Sequence, residues 1–154
     1  MSDPSATIVA ALVGLVGGFV AAEIGRRQKA DELFFQALNF LGGKTQVRNL
    51  GVAAIELYWR RRRNREVSAL LLVGVAIYLL TESKQTHEEH ELYNLERIIA
   101  LLQTDTKPSR RRADAYQKLR DVLRRTPSAD STKGVHVEAM VRQRWAASFD
   151  RLSK

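Results

Sequence analysis

The uncharged stretch at residues 6–22 most constrains what this chain can fold into. It holds seventeen residues without a charge, and Arg26 and Arg27 follow it closely. As a helix it would extend about 26 Å, near the roughly 30 Å of a hydrocarbon core. A signal peptide carries positive charge before its apolar run, and none is present here. A buried core helix would be filled poorly by so many small residues. These arguments favour a transmembrane helix within residues 1–25 over both alternatives.

Small residues recur at every fourth position of this stretch, namely at Ala6, Ala10, Gly14, Gly18 and Ala22. In a helix they form one smooth stripe, and such stripes let two membrane helices pack backbone to backbone. The spacing therefore predicts self-association, with the last four residues of the stripe at the interface. A homo-oligomer in a lipid bilayer is the expected form.

Charge predicts the orientation of this helix. Residues 1–25 carry Asp3 and Glu23 and no Lys or Arg, so the other 129 residues hold a net charge of +10. Basic residues concentrate on the cytoplasmic side of membrane helices. We therefore expect the N-terminus outside and the remainder in the cytoplasm. The chain has no cysteine, so no disulfide calls for an oxidising compartment.

The rest of the chain predicts an all-α fold of about six helices. Apolar residues recur at helical spacing and nowhere with a convincing period of two. We expect a cytoplasmic helical domain over 26–126, a polar linker over 127–134, and an amphipathic helix over 135–154 that packs on the domain. The apolar stripes expected to pack are Leu33, Phe34, Ala37, Leu38 and Leu41; Val47, Leu50, Ala54, Leu57 and Tyr58; Leu92, Leu95, Ile99 and Leu102; Tyr116, Leu119 and Leu123; and Val137, Val141, Trp145, Phe149 and Leu152.

Local signals predict where several helices begin and end. Gly42 and Gly43 are expected to stop a helix in left-handed geometry, and Thr45 to cap the next one. Thr86 and Glu89 have the spacing of a capping box. Pro108-Ser109 is expected to start the fifth helix.

The run Val67–Leu80 is apolar nearly all round. Fourteen residues are short for a membrane span, and a helix of this kind usually lies between two apolar faces of a core. A core helix is therefore the favoured interpretation, with a second span or a re-entrant segment as the alternative. If the run spans, the preceding basic residues would lie inside and the C-terminus would return outside.

Residues 35–57 resemble a HEAT/armadillo-type helical repeat. In such repeats a short turn precedes a helix reading Val-Arg-x-x-Gly/Ala-x-x-Ala-Leu, and the matching residues here are Val47, Arg48, Gly51, Ala54 and Ile55. The resemblance covers residues 30–82. A similar helical pair follows one N-terminal membrane helix in bacterial proteins with pentapeptide repeats, although this chain has no such array. The resemblance implies a scaffold that presents helical faces to a protein partner, at a bacterial inner (plasma) membrane.

The sequence contains no arrangement that predicts catalysis. Gly43-Lys44-Thr45 resembles the end of a phosphate-binding loop, but Leu38 stands where the first glycine should be. His87 and His90 are three residues apart rather than the four of helical zinc sites. No cysteine or Gly-x-Ser-x-Gly turn supplies a nucleophile. We expect no enzyme, no metal and no cofactor.

Two basic runs are the remaining candidates for a site: Arg60, Arg61, Arg62 and Arg63, and Arg110, Arg111 and Arg112. Solvated faces and helix-dipole matching are the ordinary explanation of such runs. Attraction to an anionic inner leaflet is the favoured functional interpretation, because the membrane helix would hold the runs close to it. Nucleic-acid binding is the alternative, although aromatic residues do not interleave the runs as a stacking platform requires.

Three functions follow from these features. The favoured one is a membrane-anchored, self-associating, non-catalytic helical scaffold or binding protein on the cytoplasmic face of the membrane. The first alternative is an oligomeric pore-forming or membrane-perturbing effector of a defence or toxin kind. The second is a membrane-tethered nucleic-acid binder.

Overall fold

The computed structural model describes residues 25–26, 28–83, 88–125 and 133–152, and in these ranges every regular element is an α-helix. The all-α prediction is confirmed. Helix α1 takes in residues 28–41, and the five that follow are α2 (Thr45–Trp59), α3 (Arg62–Thr81), α4 (Glu88–Gln103), α5 (Arg110–Arg124) and α6 (Ala139–Leu152). The predicted membrane stripe Ala10, Gly14, Gly18 and Ala22 lies outside the described residues, as do Thr86 and His87.

Two compact units divide the chain at Phe35. Residues 28–35 of the first unit are helical, and the rings of Phe34 and Phe35 lie 6.0 Å apart. The second unit, Gln36–Lys154, contains the last turns of α1 and all of α2–α6, and we refer to it as the helical domain.

The turn between α1 and α2 differs from the predicted one. Gly42 and Gly43 lack positive φ, and their N–H groups donate to Asn39 and Phe40 at 3.3 and 3.1 Å, which tightens the end of the helix. Gly43 is required for space, because a Cβ there would lie 2.8 Å from Val47 Cγ1. Thr45 is not the N-cap either. Lys44 occupies that position without a side-chain bond.

Helices α1 and α2 cross at Gly51. A Cβ on this residue would lie 2.8 Å from the Leu41 nitrogen, 3.0 Å from the Phe40 carbonyl carbon and 3.1 Å from the Ala37 oxygen. All three atoms belong to the backbone of α1. Glycine therefore sets how closely the two helices approach, and this contact fixes which face of α2 turns inward.

The core lies among α3, α4 and α5. Helix α3 contacts α2, α4 and α5, and α5 also packs against α6. Helices α2 and α6 add Ile55 and Phe149 to the core, and the other large, completely buried side chains come from α3, α4 and α5: Leu72, Leu79, Leu95, Ile98, Ile99, Leu102, Tyr116, Leu119 and Leu123. The predicted start of α5 is confirmed, since Ser109 is its N-cap and accepts from the Arg112 N–H at 3.4 Å.

The segment before α6 is not helical and is hydrogen-bonded to the end of α3. Gly134, with φ at +87°, donates to the Ser83 carbonyl, and Val135 donates to the Leu79 carbonyl, both at 2.8 Å. Val135 and Val137 are buried, and the helix begins only at Ala139. This segment therefore joins α6 to the core.

Three arginines each cap the C-terminal end of the helix that comes before them in the sequence. Arg48 donates to the Leu41 and Gly43 carbonyls at 3.1 and 3.0 Å, and Arg65 donates to the Trp59 carbonyl at 3.1 Å. Arg142 donates to the carbonyls of residues 122, 123 and 125 at 2.8–3.2 Å. The last carbonyls of a helix lack intrahelical partners and carry negative partial charge, so a cation there is favourable. Much of the basic character of the domain thus serves its fold.

Candidate interaction surfaces

Helix α2 turns a different face inward from the one predicted. Its buried residues are Arg48, Gly51, Val52, Ile55 and Trp59. The predicted packing stripe remains largely uncovered, with Leu50 63% exposed and Leu57 79% exposed. The prediction was wrong because α2 is apolar on two faces, and the close approach at Gly51 selects the second one. A strongly apolar stripe is left at the surface.

This outward face of α2 has the spacing of a coiled-coil seam. Val47, Leu50, Ala54 and Leu57 follow one another at intervals of three, four and three residues. That is the a and d pattern of a heptad repeat, with leucine at both d positions. We refer to these four residues as the α2 seam.

A buried ion pair supports the inner face of α2. Arg48 pairs with Glu91 of α4, and both side chains are at most 9% exposed. The Thr45 hydroxyl donates to Glu91 at 2.9 Å, and Asn94 donates to the same carboxylate at 3.4 Å. The Arg48 guanidinium also lies 5.5 Å from the Tyr78 ring centre. Because the arginine is fully engaged by these partners and by the α1 carbonyls, it is a structural group.

Helix α3 is covered on one side only. Ala69, Leu72, Val73 and Ala76 are buried. On the other side Val67, Leu70, Leu71, Gly74 and Tyr78 are exposed, and no charge interrupts them. We refer to these five residues as the α3 face. The prediction of a helix covered all round was therefore only half right.

An open apolar groove of about 600 Å³ runs between α3 and the end of α1. Leu38 and Leu41 line it from α1, and Leu70, Leu71 and Val75 line it from α3. The lining is mostly apolar, and Leu70 and Leu71 belong both to it and to the α3 face, so the two surfaces are continuous.

Helix α3 is also the one described helix that is long and apolar enough to cross a membrane. The segment concerned is Asn64–Thr81, and 44% of it is buried in the protein. The core helix of a soluble protein can satisfy the same criterion. What distinguishes α3 is that its remaining surface from Val67 to Tyr78 is apolar rather than polar.

The two predicted basic runs meet at one end of the domain. The Ser109 hydroxyl, at the start of α5, donates to Glu66 in the first turns of α3 at 2.7 Å. Arg60 and Arg61 precede α3, and Arg110 and Arg111 begin α5, and all four are exposed. We refer to these four arginines as the basic end. Arg62 and Arg63 lie in the first turn of α3, and their side chains are outside the described part of the structure.

Arg112 differs from its neighbours. Its guanidinium pairs with Asp105 at 2.6 Å and with Glu66 at 3.1 Å, and its side chain is 12% exposed. The Tyr116 hydroxyl donates to the same Asp105 oxygen at 2.7 Å. Burial, together with this hydrogen bond, raises the pKa of Tyr116 far above its usual value. These groups form an internal cluster that joins α3 to α5.

Arg142 is the most isolated buried charge among the described residues. Desolvation lowers the pKa of its guanidinium, and its Nη1 has no hydrogen-bond partner in that part of the chain. The carbonyls at the end of α5 hold the other nitrogens. Its role is to join α6 to α5.

The sequence features considered for catalysis are accounted for structurally where they are described. Gly43 and Lys44 lie in the α1–α2 turn, and Thr45 is the first residue of α2 and binds Glu91. His90 lies on the exposed first turn of α4. Across the described ranges, no three His, Asp or Glu side chains come close enough to hold a metal ion.

Sequence reasoning did not anticipate the buried polar groups. Arg48 and Glu91 are 43 residues apart in the sequence. Asp105 and Arg142 each have polar or charged neighbours in the sequence, which predict exposure to solvent. The available signal was the position of Arg48 and Arg142 on the apolar sides of their helices.

No protein-family model, curated protein or solved structure matches the chain.

Proposed function

We propose that this protein is a membrane-anchored, self-associating and non-catalytic scaffold whose HEAT-like helical domain lies on the cytoplasmic face of a bacterial inner membrane. The observation that carries this proposal is the α2 seam, an exposed apolar stripe on the surface of the helical domain. Large contiguous apolar patches on soluble surfaces usually mark interaction sites.

A second copy of the chain is the occupant that the α2 seam fits. Heptad spacing suits packing against another helix, and the small Ala54 side chain allows close approach. A shared membrane also holds copies at a raised effective concentration, so that a short seam is sufficient. The small-residue stripe at residues 6–22 would add a second contact within the bilayer.

The experiment compares oligomeric state in the full-length protein by chemical cross-linking in native membranes. Gly14→Leu with Gly18→Leu removes the predicted membrane contact, and Val16→Leu with Val20→Leu is its matched control on the opposite side of the predicted helix. We expect the glycine variant to weaken self-association and the valine variant to leave it unchanged.

The α2 seam is tested in the same assay. Leu50→Ser with Leu57→Ser should weaken cross-linking without loss of helix content, since both side chains are largely exposed. A protein that remains fully associated in the glycine variant, in the seam variant and in their combination is not the self-associating scaffold proposed here.

The apolar length of α3 favours one second candidate, a pore-forming or membrane-perturbing effector. In that function α3 would leave the domain and insert, since Asn64–Thr81 has the length and composition of a span. Overproduction with a membrane-potential dye separates the two candidates. Depolarisation that disappears when Leu71 is replaced by Asp supports the effector, and an unchanged potential supports the scaffold.

A further inference from the structure

We infer that the α3 face lies against the surface of an anionic bilayer, with α3 parallel to the membrane and the domain otherwise folded as described. The inference rests on the proposed membrane attachment and assigns a surface to it. It differs from the effector candidate because α3 stays packed on α4 and α5 throughout.

The first support is the length and uniformity of the face. From Val67 to Tyr78 the exposed side of α3 is free of charge, which corresponds to about 16 Å of helix. A helix that lies in the membrane interface has an apolar side of this kind, with its other side held away from the lipid. Here the other side is held by the protein core.

The second support is charge complementarity. Arg60 and Arg61 immediately precede α3, and the Ser109–Glu66 hydrogen bond brings Arg110 and Arg111 to the same end of the domain. Basic residues beside an apolar face are typical of surfaces that bind anionic lipid. At the other end of the face stands Tyr78, a residue type enriched where membranes meet water.

The third support is the short connection to the predicted anchor. Sixteen residues separate Ala22 from Leu38 in the groove, and even a fully extended chain of that length reaches at most about 58 Å. A domain anchored through residues 6–22 would therefore stay within that distance of the bilayer. The groove beside the α3 face gives lipid acyl chains a place to enter.

A fluorescent label placed on the α3 face tests the inference directly. The chain has no cysteine, so each introduced cysteine is a unique labelling site. Leu71→Cys carries an environment-sensitive dye on the face. Gln117→Cys on α5, exposed and polar, is the control position, and Leu57→Cys on the α2 seam controls for any exposed apolar site.

The full-length labelled proteins are reconstituted into phosphatidylcholine vesicles with and without phosphatidylglycerol, floated on a density gradient, and exposed to lipids with a quencher on the acyl chain. We expect the dye at residue 71 to shift to the blue and to be quenched several-fold more than at residues 57 and 117. The quenching should fall when phosphatidylglycerol is omitted, and also when Arg60 and Arg61 are replaced by Gln.

Each of the other outcomes refutes either the membrane attachment or the contact of the α3 face with the bilayer. Protein that does not float refutes the membrane attachment itself. Protein that floats while residue 71 remains in water refutes only the α3 contact. A blue shift without lipid quenching, accompanied by disulfide formation between unlabelled Leu71→Cys copies, assigns the face to a second copy and also refutes the bilayer contact.

Discussion

The Gly51→Ala substitution tests the α1–α2 crossing that determines the surface of the domain. The new Cβ would lie 2.8–3.1 Å from three backbone atoms of α1, and backbone cannot rotate away as a flexible side chain can. Adding a methylene group to a tightly packed site costs about 1–3 kcal/mol. The better helix propensity of alanine returns roughly 0.5–1 kcal/mol. We therefore expect a net loss of up to about 2.5 kcal/mol in the free energy of unfolding.

Gly74→Ala is the matched control. Nothing lies within 4 Å of a Cβ at this exposed position in the middle of α3. The same chemical change should therefore stabilise the protein by roughly 0.5–1 kcal/mol. The two variants differ in sign because only one of them meets the backbone of another helix.

Urea unfolding of the full-length protein in mild detergent, followed by circular dichroism, measures both effects. If Gly51→Ala stabilises the protein as much as Gly74→Ala, then α1 and α2 do not approach closely at residue 51. In that case the assignment of the α2 seam as an outer surface also fails, because that crossing orients α2.

Three further predictions concern the buried polar groups. Arg48→Met should lower the free energy of unfolding by about 3–5 kcal/mol because Glu91 loses its partner. Adding Glu91→Gln should recover part of that loss, and strictly additive effects of the two substitutions would contradict the pairing. Arg142→Lys should cost about 1–3 kcal/mol and speed amide exchange at the end of α5, whereas unchanged exchange there would exclude the capping role. Burial raises the folded-state pKa of Tyr116 above its ordinary value of 10.0, so the unfolded state ionises first and stability should fall as pH rises above about 10. Tyr116→Phe should flatten that alkaline decline, and an identical pH profile would refute it.

Helix α5 illustrates what the sequence predicts well. Ser109 caps it, and Tyr116, Leu119 and Leu123 are buried as expected. The opposite side of this helix is strongly charged, so only one face can turn inward. The buried residues of α5 can therefore be predicted from the helical spacing of its apolar residues alone.

Helix α2 shows why the same reasoning can fail. Both of its sides are apolar, and periodicity gives no preference between them. The choice depends on Gly51, whose missing side chain lets α1 approach. That is a contact between two helices, and it becomes visible only when both are in place. Thr45 failed as a predicted cap for a similar reason, because Glu91, distant in sequence, binds its hydroxyl.

The buried and paired arginines change how the basic composition should be understood. A net charge of +8 suggests a positive surface all over the molecule. In the described ranges, however, many arginines cap helices or pair with carboxylates: Arg48, Arg65, Arg97, Arg112, Arg120 and Arg142. Where a carboxylate pairs with the guanidinium, as at Arg48, Arg97, Arg112 and Arg120, the positive charge is compensated locally and contributes little to a long-range field.

The arginines of the basic end carry charge that is exposed and concentrated beside α3. Near an anionic bilayer each basic residue contributes about 1 kcal/mol, so these four supply on the order of 4 kcal/mol. This electrostatic attraction does not require apolar side chains to enter the lipid. It acts at the end of the domain where the α3 face begins. In the proposed bilayer contact the two contributions would be cooperative, because each one would position the domain for the other. Salt should therefore weaken the lipid contact at residue 71 while leaving the anchor in place, which separates the surface contact from the tether within a single experiment.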